Sequence, residues 1–137
     1  MGKTIAEKII NSHTKKEVKA GDVAICDIDF CFSQDGTSLL AIDSFNQLGT
    51  DRIFDENKFC MVIDHSSPSP SSAISNVHKK IREFTKSKQV RLYDLGSGVC
   101  HQIIPEAGYV VCGDLVLGAD SHTCTYGALN CLSAGVG

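Results

Sequence analysis

The sequence predicts an α/β fold: a mainly parallel sheet with helices on both faces. Three observations carry this expectation. Stretches of strand character alternate along the chain with stretches of helical period. One run, "KFCMVID" at 58–64, is apolar throughout between charged ends, the pattern of a strand buried on both faces. Glycine- or serine-rich turns separate the two kinds of stretch.

Thr4 and Glu7 form a capping-box pair and Ile5 with Ile9 makes a short apolar stripe, so the first helix is placed over residues 4 to about 13. "DVAICDIDFCF" at 22–32 puts Ala24, Cys26, Ile28, Phe30 and Phe32 on one parity and Asp27 and Asp29 on the other, which predicts a strand. Asp35, Gly36 and Thr37 then open a helical run through Leu39, Ile42, Phe45 and Leu48 that stops at Gly49. After the strand at 58–64, "SSPSPSS" is a loop, and Ile74, Val77, Ile81 and Phe84 mark one face of the clearest helix. "QVRLYDLGSGVCH" reads as a strand entering a turn at Gly96 and Gly98 that delivers His101, and "GDLVLGADSHT" as a strand delivering Asp120, Ser121 and His122.

A chain of 137 residues with 42% hydrophobic content fits one domain with its own core. Thirteen basic against sixteen acidic residues give a net charge of −3 without a basic block, which argues against a nucleic-acid partner. The N-terminal segment carries charges through its apolar positions and no run of about eighteen apolar residues occurs, so a cytoplasmic location is expected. The seven cysteines are odd in number and without C-x-x-C spacing, which favours free thiols over a disulfide framework or a zinc ribbon. Cys26, Cys60 and Cys112 sit in apolar runs and are expected in the core.

The chemistry-bearing residues cluster by position. Asp64 and His65, His101, and Asp120 with Ser121 and His122 each fall just past the end of a predicted strand, the edge at which open α/β sheets bind ligands. A carboxylate beside an imidazole raises its pKa and fixes its tautomer, which suits a general acid near neutral pH. Taken singly, each Asp-His pair is as readily a solvated strand end; three on one rim favour a site. His13, at the end of the first helix, and His78, on the flank of the longest one, are assigned structural roles.

"DHSSP" at 64–68, "GVCHQIIPEAG" at 98–108, "GDLVLGADSHTCTYGALNCLSAGVG" at 113–137 and "DIDFCFSQDGTSLLAI" at 27–42 together resemble the aconitase superfamily over essentially the whole chain. "CTYGA" after the DSHT motif is similar to its isopropylmalate and homoaconitase branch. The resemblance implies isomerisation of a hydroxy-acid by loss and re-addition of water, with a four-iron four-sulfur cluster acting as a Lewis acid. It implies that Asp64 and His65 protonate the departing hydroxyl, that His101 with Asp120, and His122, hydrogen-bond water and substrate oxygens at the cluster, and that Ser121 contacts a substrate carboxylate. Where aconitases carry a substrate-binding glutamine this chain has Leu39, which points to a substrate with an apolar arm rather than a tricarboxylate. Isopropylmalate, homoaconitate, citramalate-type and dimethylmalate acids fit these motifs alike.

The family's cluster-ligating cysteines and its serine base have no counterpart among these residues. Residues 1–137 are therefore expected to be the N-terminal α/β portion of a catalytic subunit. The expected partners are the remaining domains of that large subunit and a separate small subunit, and the isolated chain is expected to be inactive. An incomplete sheet leaves an edge and apolar faces open, so self-association is also expected. Two other readings compete: a metal-binding module using the His65, His101 and His122 rim, and a non-enzymatic folding or interaction unit of the parent subunit.

Overall fold

The computed structural model describes residues 2–136. Its centre is a five-stranded, wholly parallel sheet of β1 (Phe30–Gln34), β2 (Phe59–Val62), β3 (Arg91–Tyr93), β4 (Leu115–Ala119) and β5 (Leu132–Gly135). The strand order is β3-β2-β1-β4-β5. The chain thus winds one way from β1 to β3 and then crosses back to place β4 on the other side of β1. That reversal leaves a crevice at the carboxyl ends of β1 and β4, the switch point at which such sheets bind ligands.

The helices are α1 (Ile5–Ser12), α2 (Ser38–Gln47), α3 (Ser72–Lys88) and α4 (Cys100–Glu106). At α1 the predicted capping box is present: Thr4 Oγ1 accepts from Glu7 N, and Glu7 returns a carboxylate to Thr4 N at 2.8 Å. Ser71 caps α3 by accepting from Ile74 N, and Lys86 and Lys88 lie in its last turn, where cations suit the dipole. α2 stops ahead of Gly49, whose φ of +66° gives the left-handed turn expected there. No helix in the described residues is long and apolar enough to cross a membrane.

Both faces of the sheet are covered, as the fold class predicts. On one face Phe30, Phe32, Cys60, Val62 and Val116 pack with Cys100, Ile103 and Ile104 of α4 and with Tyr126 of a 3-10 segment, Thr123–Leu129. On the other, Met61 and Ile63 pack with Ile42 of α2 and Ile81 of α3. Each such fully buried side chain contributes about 1.5–3 kcal/mol relative to exposure.

Three expectations need correction. The strand placed at 22–32 begins only at Phe30. Residues 24, 26 and 28 are half-buried and Val23 and Ile25 are 96% and 94% exposed, so the alternation is real. The ladder is missing because β2 and β4 reach β1 only from Cys31 and Phe30 onward; ahead of that, Asp27 N donates to His13 O instead. Cys112 is exposed in a turn closed by Asp114 N to Val111 O, and Cys26 is only half-buried, so of the three expected core cysteines only Cys60 is one. His101 is carried by the first turn of α4 rather than by the end of β3.

Candidate functional site

The site lies where the sheet order reverses, and it is built on three buried carboxylates. Asp35 follows β1, Asp64 lies two residues beyond β2, and Asp120 follows β4. Each is buried or nearly so, and each is satisfied by donors from other segments, as a buried charge must be.

Asp120 is the hub. Its Oδ1 lies 2.9 Å from His101 Nε2, accepts from His122 N at 2.7 Å, and is 3.5 Å from His122 Nδ1. Its Oδ2 accepts from Gln34 Nε2 at 3.3 Å and lies 3.6 Å from His65 Nε2. Burial pushes the Asp120 carboxyl upward, but the His122 N–H, His101 and Gln34 outweigh it and hold the group below the usual carboxylate range. It stays ionised at neutral pH.

Asp64 bridges two elements. Its Oδ1 is 2.7 Å from His65 Nδ1, and its Oδ2 accepts from Cys100 N at 2.6 Å, so one carboxylate orients the imidazole and also satisfies the first turn of α4, which has no side-chain cap of its own. For His65, burial lowers the pKa, while the bond to Asp64 and the charges of Asp64, Asp120 and Asp35 raise it; the net direction is upward. With Nδ1 committed to Asp64, Nε2 faces Asp120 and the solvent rim.

His101 is held by packing as well as by Asp120. Phe32 meets it edge-on at 5.8 Å between centroids, Tyr126 lies 5.7 Å away and the His122 ring 6.2 Å. Its Nδ1 and the Tyr126 hydroxyl are buried without a hydrogen-bond partner among the described residues. His122 is the exposed member, and Ser121, also exposed, places Oγ 3.4 Å from His122 Nδ1. A hollow of about 420 Å³ bordered by His101, Tyr126 and Leu129 opens beside the cluster, while an apolar one of about 380 Å³ lies elsewhere, between Phe45, Phe59 and Phe84.

The structure therefore brings Asp64, His65, His101, Asp120, Ser121 and His122 onto one rim. It groups their ligand atoms differently from the expected three-histidine set. His101, Asp120 and His122 lie within 4.8 Å of one another, and so do Asp64, His65 and Cys100. His65 is drawn away from the other imidazoles because it addresses the opposite oxygen of Asp120.

Sequence reasoning missed Asp35 and Gln34, and it gave His78 its structural role but set it on the helix flank. Asp35 accepts the backbone N–H groups of Asp64, His65 and Ser66 at 2.8–3.1 Å, and His78 is not on an open flank but 1% exposed, its Nε2 3.4 Å from Asp35. Both signals were present: Asp35 is a further acid at a strand end, and His78 stands four residues after Ile74 and three before Ile81, on the buried face.

A doubly wound parallel sheet defines the α/β class, and the carboxylate-oriented imidazoles stand at its switch point, where such sheets bind ligands. A sequence model of the aconitase family (aconitate hydratase) matches residues 7–137, and the chain belongs to that family. It is 47% identical over its full length to the 3-isopropylmalate dehydratase large subunit 1 of Thermotoga maritima, covering 32% of that protein. It is 44% identical to large subunit 1 of the dehydratase from Pyrococcus abyssi and 39% to that of Methanopyrus kandleri, covering 33% of each. The chain thus spans about a third of the length of the curated relatives it matches.

An iron-sulfur cluster, which the resemblance implies, finds no thiolate set among the described residues. Among the described residues Cys100 is the one cysteine whose ligand atom groups with the site, short of the several thiolates a cluster needs. The donor set of the described residues does not fit the cluster's ligands.

Proposed function

We propose that this chain supplies the proton-transfer wall of a hydro-lyase that isomerises a hydroxy-acid by dehydration and rehydration, of the 2-isopropylmalate to 3-isopropylmalate type used in leucine biosynthesis. The observation that carries the reading is the pair of carboxylate-held imidazole systems, Asp64 with His65 and Asp120 with His101 and His122, on one rim at the switch point. Hydroxide is a poor leaving group, so elimination needs a proton delivered to the departing oxygen. His65 is suited to deliver it, because Asp64 fixes its tautomer and the surrounding carboxylates favour its cationic form near neutral pH. His101 and His122, anchored by an ionised Asp120, orient and hydrogen-bond the hydroxyl and carboxylate oxygens, and Ser121 offers a hydroxyl to a carboxylate at the rim.

In the complete protein the cluster would supply Lewis acidity, and its ligands, the serine base and the small subunit implied by the relatives' description as large subunits come from outside this chain. The expectation of a substrate with an apolar arm rests on Leu39, near the start of α2 and a few residues after Gln34 and Asp35.

The test uses the full-length subunit assembled with its small subunit and 3-isopropylmalate, following formation of the unsaturated acid by absorbance. His65→Gln is expected to lower kcat by about 10²–10⁴-fold with a smaller change in KM. Turnover retained in that variant, or absent from the parent assembly, removes this reading.

A further inference from the structure

We propose that Asp35 and His78 form a buried positioning pair that sets the Asp64–Ser66 turn and, through it, the tautomer and direction of His65. The inference rests on the reading of His65 as proton donor only for its consequence in catalysis; its structural content stands apart.

Asp35 Oδ1 accepts from Asp64 N at 3.1 Å and His65 N at 2.8 Å, and Oδ2 accepts from Ser66 N at 2.9 Å. Three consecutive amides are thus gathered on one carboxylate immediately after β2. The fourth neighbour is His78 Nε2, 3.4 Å from Oδ2, contributed by α3. Both side chains are almost wholly enclosed, at 1% and 2% exposed. A carboxylate with that little water is ionised only if donors surround it, and here they do: burial pushes Asp35 up, yet the amides of His65, Asp64 and Ser66 and the His78 ring bring it below the ordinary value.

The consequence for His65 is geometric. The backbone of Asp64 and His65 is fixed by Asp35, and the side chain of Asp64 is fixed at its far oxygen by Cys100 N. With both ends of Asp64 held, its remaining oxygen has one place to go, 2.7 Å from His65 Nδ1. The pair therefore acts through the turn and touches neither substrate nor reacting atoms. His78 links this turn to α3, the longest helix, so the stiffness of the core is passed to the rim.

The experiment uses the chain itself. Long-range nitrogen–proton NMR reads the His65 tautomer, and amide exchange reads the 64–66 turn, in the parent, in Asp35→Asn and in His78→Gln. The parent is expected to hold His65 with the proton on Nδ1 when neutral. Asp35→Asn should speed exchange of the His65 and Ser66 amides at least about tenfold and mix the tautomers. His78→Gln should do so to a smaller degree, and it carries the test if Asp35→Asn does not fold. In both, amides of central α3 should keep their protection. Unchanged tautomer and turn exchange in the folded variants overturns the proposal. Those readings are independent of turnover, so loss of the hydro-lyase reading leaves this one standing, and retention of a fixed His65 in the variants removes this one alone.

Discussion

Gly118→Ala is the most demanding test of how the packing supports the site. Gly118 lies in β4 opposite Phe32 of β1 and Gly135 of β5. A Cβ at 118 would stand 2.6 Å from Phe32 Cζ and closer still to Phe32 Cε1 and Thr123 Oγ1. None of these atoms has free space: Phe32 is 2% exposed, its ring is wedged against His101 and Tyr126, and Thr123 donates to Asp120 O at 2.6 Å. Overpacking of this kind costs about 1–3 kcal/mol, and displacing the Thr123 hydrogen bond adds about 1 kcal/mol. The lower entropy of alanine in a strand returns about 0.5–1 kcal/mol. The net expectation is a loss of about 1–3.5 kcal/mol, or about 0.5–2 M in the urea midpoint at a slope of about 2 kcal/mol/M. Equilibrium unfolding measures it, and His101 ring resonances should move because Phe32 must turn. Adding Phe32→Leu frees the space, so the double variant should recover at least about 1 kcal/mol relative to additivity. A Gly118→Ala protein within about 0.5 kcal/mol of the parent, with no coupling to Phe32→Leu, would refute this account of β1–β4 packing.

His13 makes a pH-dependent clasp: Nδ1 lies 2.6 Å from Ile9 O and Nε2 2.5 Å from Asp29 Oδ2, and an imidazole facing two acceptors needs both protons. Burial lowers its pKa, but these bonds and the charges of Asp29 and Asp114 raise it overall, so its contribution is complete below about pH 6.5 and is lost as pH rises through the folded value. Urea unfolding from pH 6 to 9 should therefore show a declining stability, and His13→Gln should remove about 1 kcal/mol of that decline. For the competing metal reading, zinc binding to the chain by calorimetry is expected to be weaker than about 1 μM, because Asp120 Oδ1 already accepts from His101 and His122 N. Stoichiometric tight binding abolished by His122→Ala would instead favour a resident metal on that trio.

The parallel sheet was legible because its strands are short, apolar and separated by helical periods, and β2 in particular has no polar position before Asp64. The strand boundary at Phe30 was not, since alternation records which side of a segment faces the protein and says nothing of whether a neighbouring strand extends far enough to pair with it. β5 was also hidden: "LSAG" is small and half-polar, and it becomes a strand because Leu132 N finds Asp114 O and the backbone continues along β4. The places of Asp64-His65 and Asp120-Ser121-His122 just past strand ends were readable from position; that of His101 was not, because α4 carries it. Their grouping was not, because which oxygen of Asp120 each imidazole addresses depends on the crossing from β3 through α4, which no spacing encodes.

That grouping changes how the site must be tested. His65 and His101 address different oxygens of one carboxylate, and His122 reaches the same carboxylate through its backbone N–H as well as its ring. The three side chains thus share one carboxylate, and a change at any of them alters the contacts open to the others. Replacing Asp120 would leave the His101 ring, the His122 N–H and the Gln34 amide without their acceptor, so its effect would exceed the sum of anything it does to one proton transfer. Asp64 differs: its bonds go to one imidazole and one backbone amide. The two carboxylates thus carry unlike burdens, Asp120 holding the rim together and Asp64 aiming a single ring, and single-residue conclusions about proton transfer are cleanest at His65.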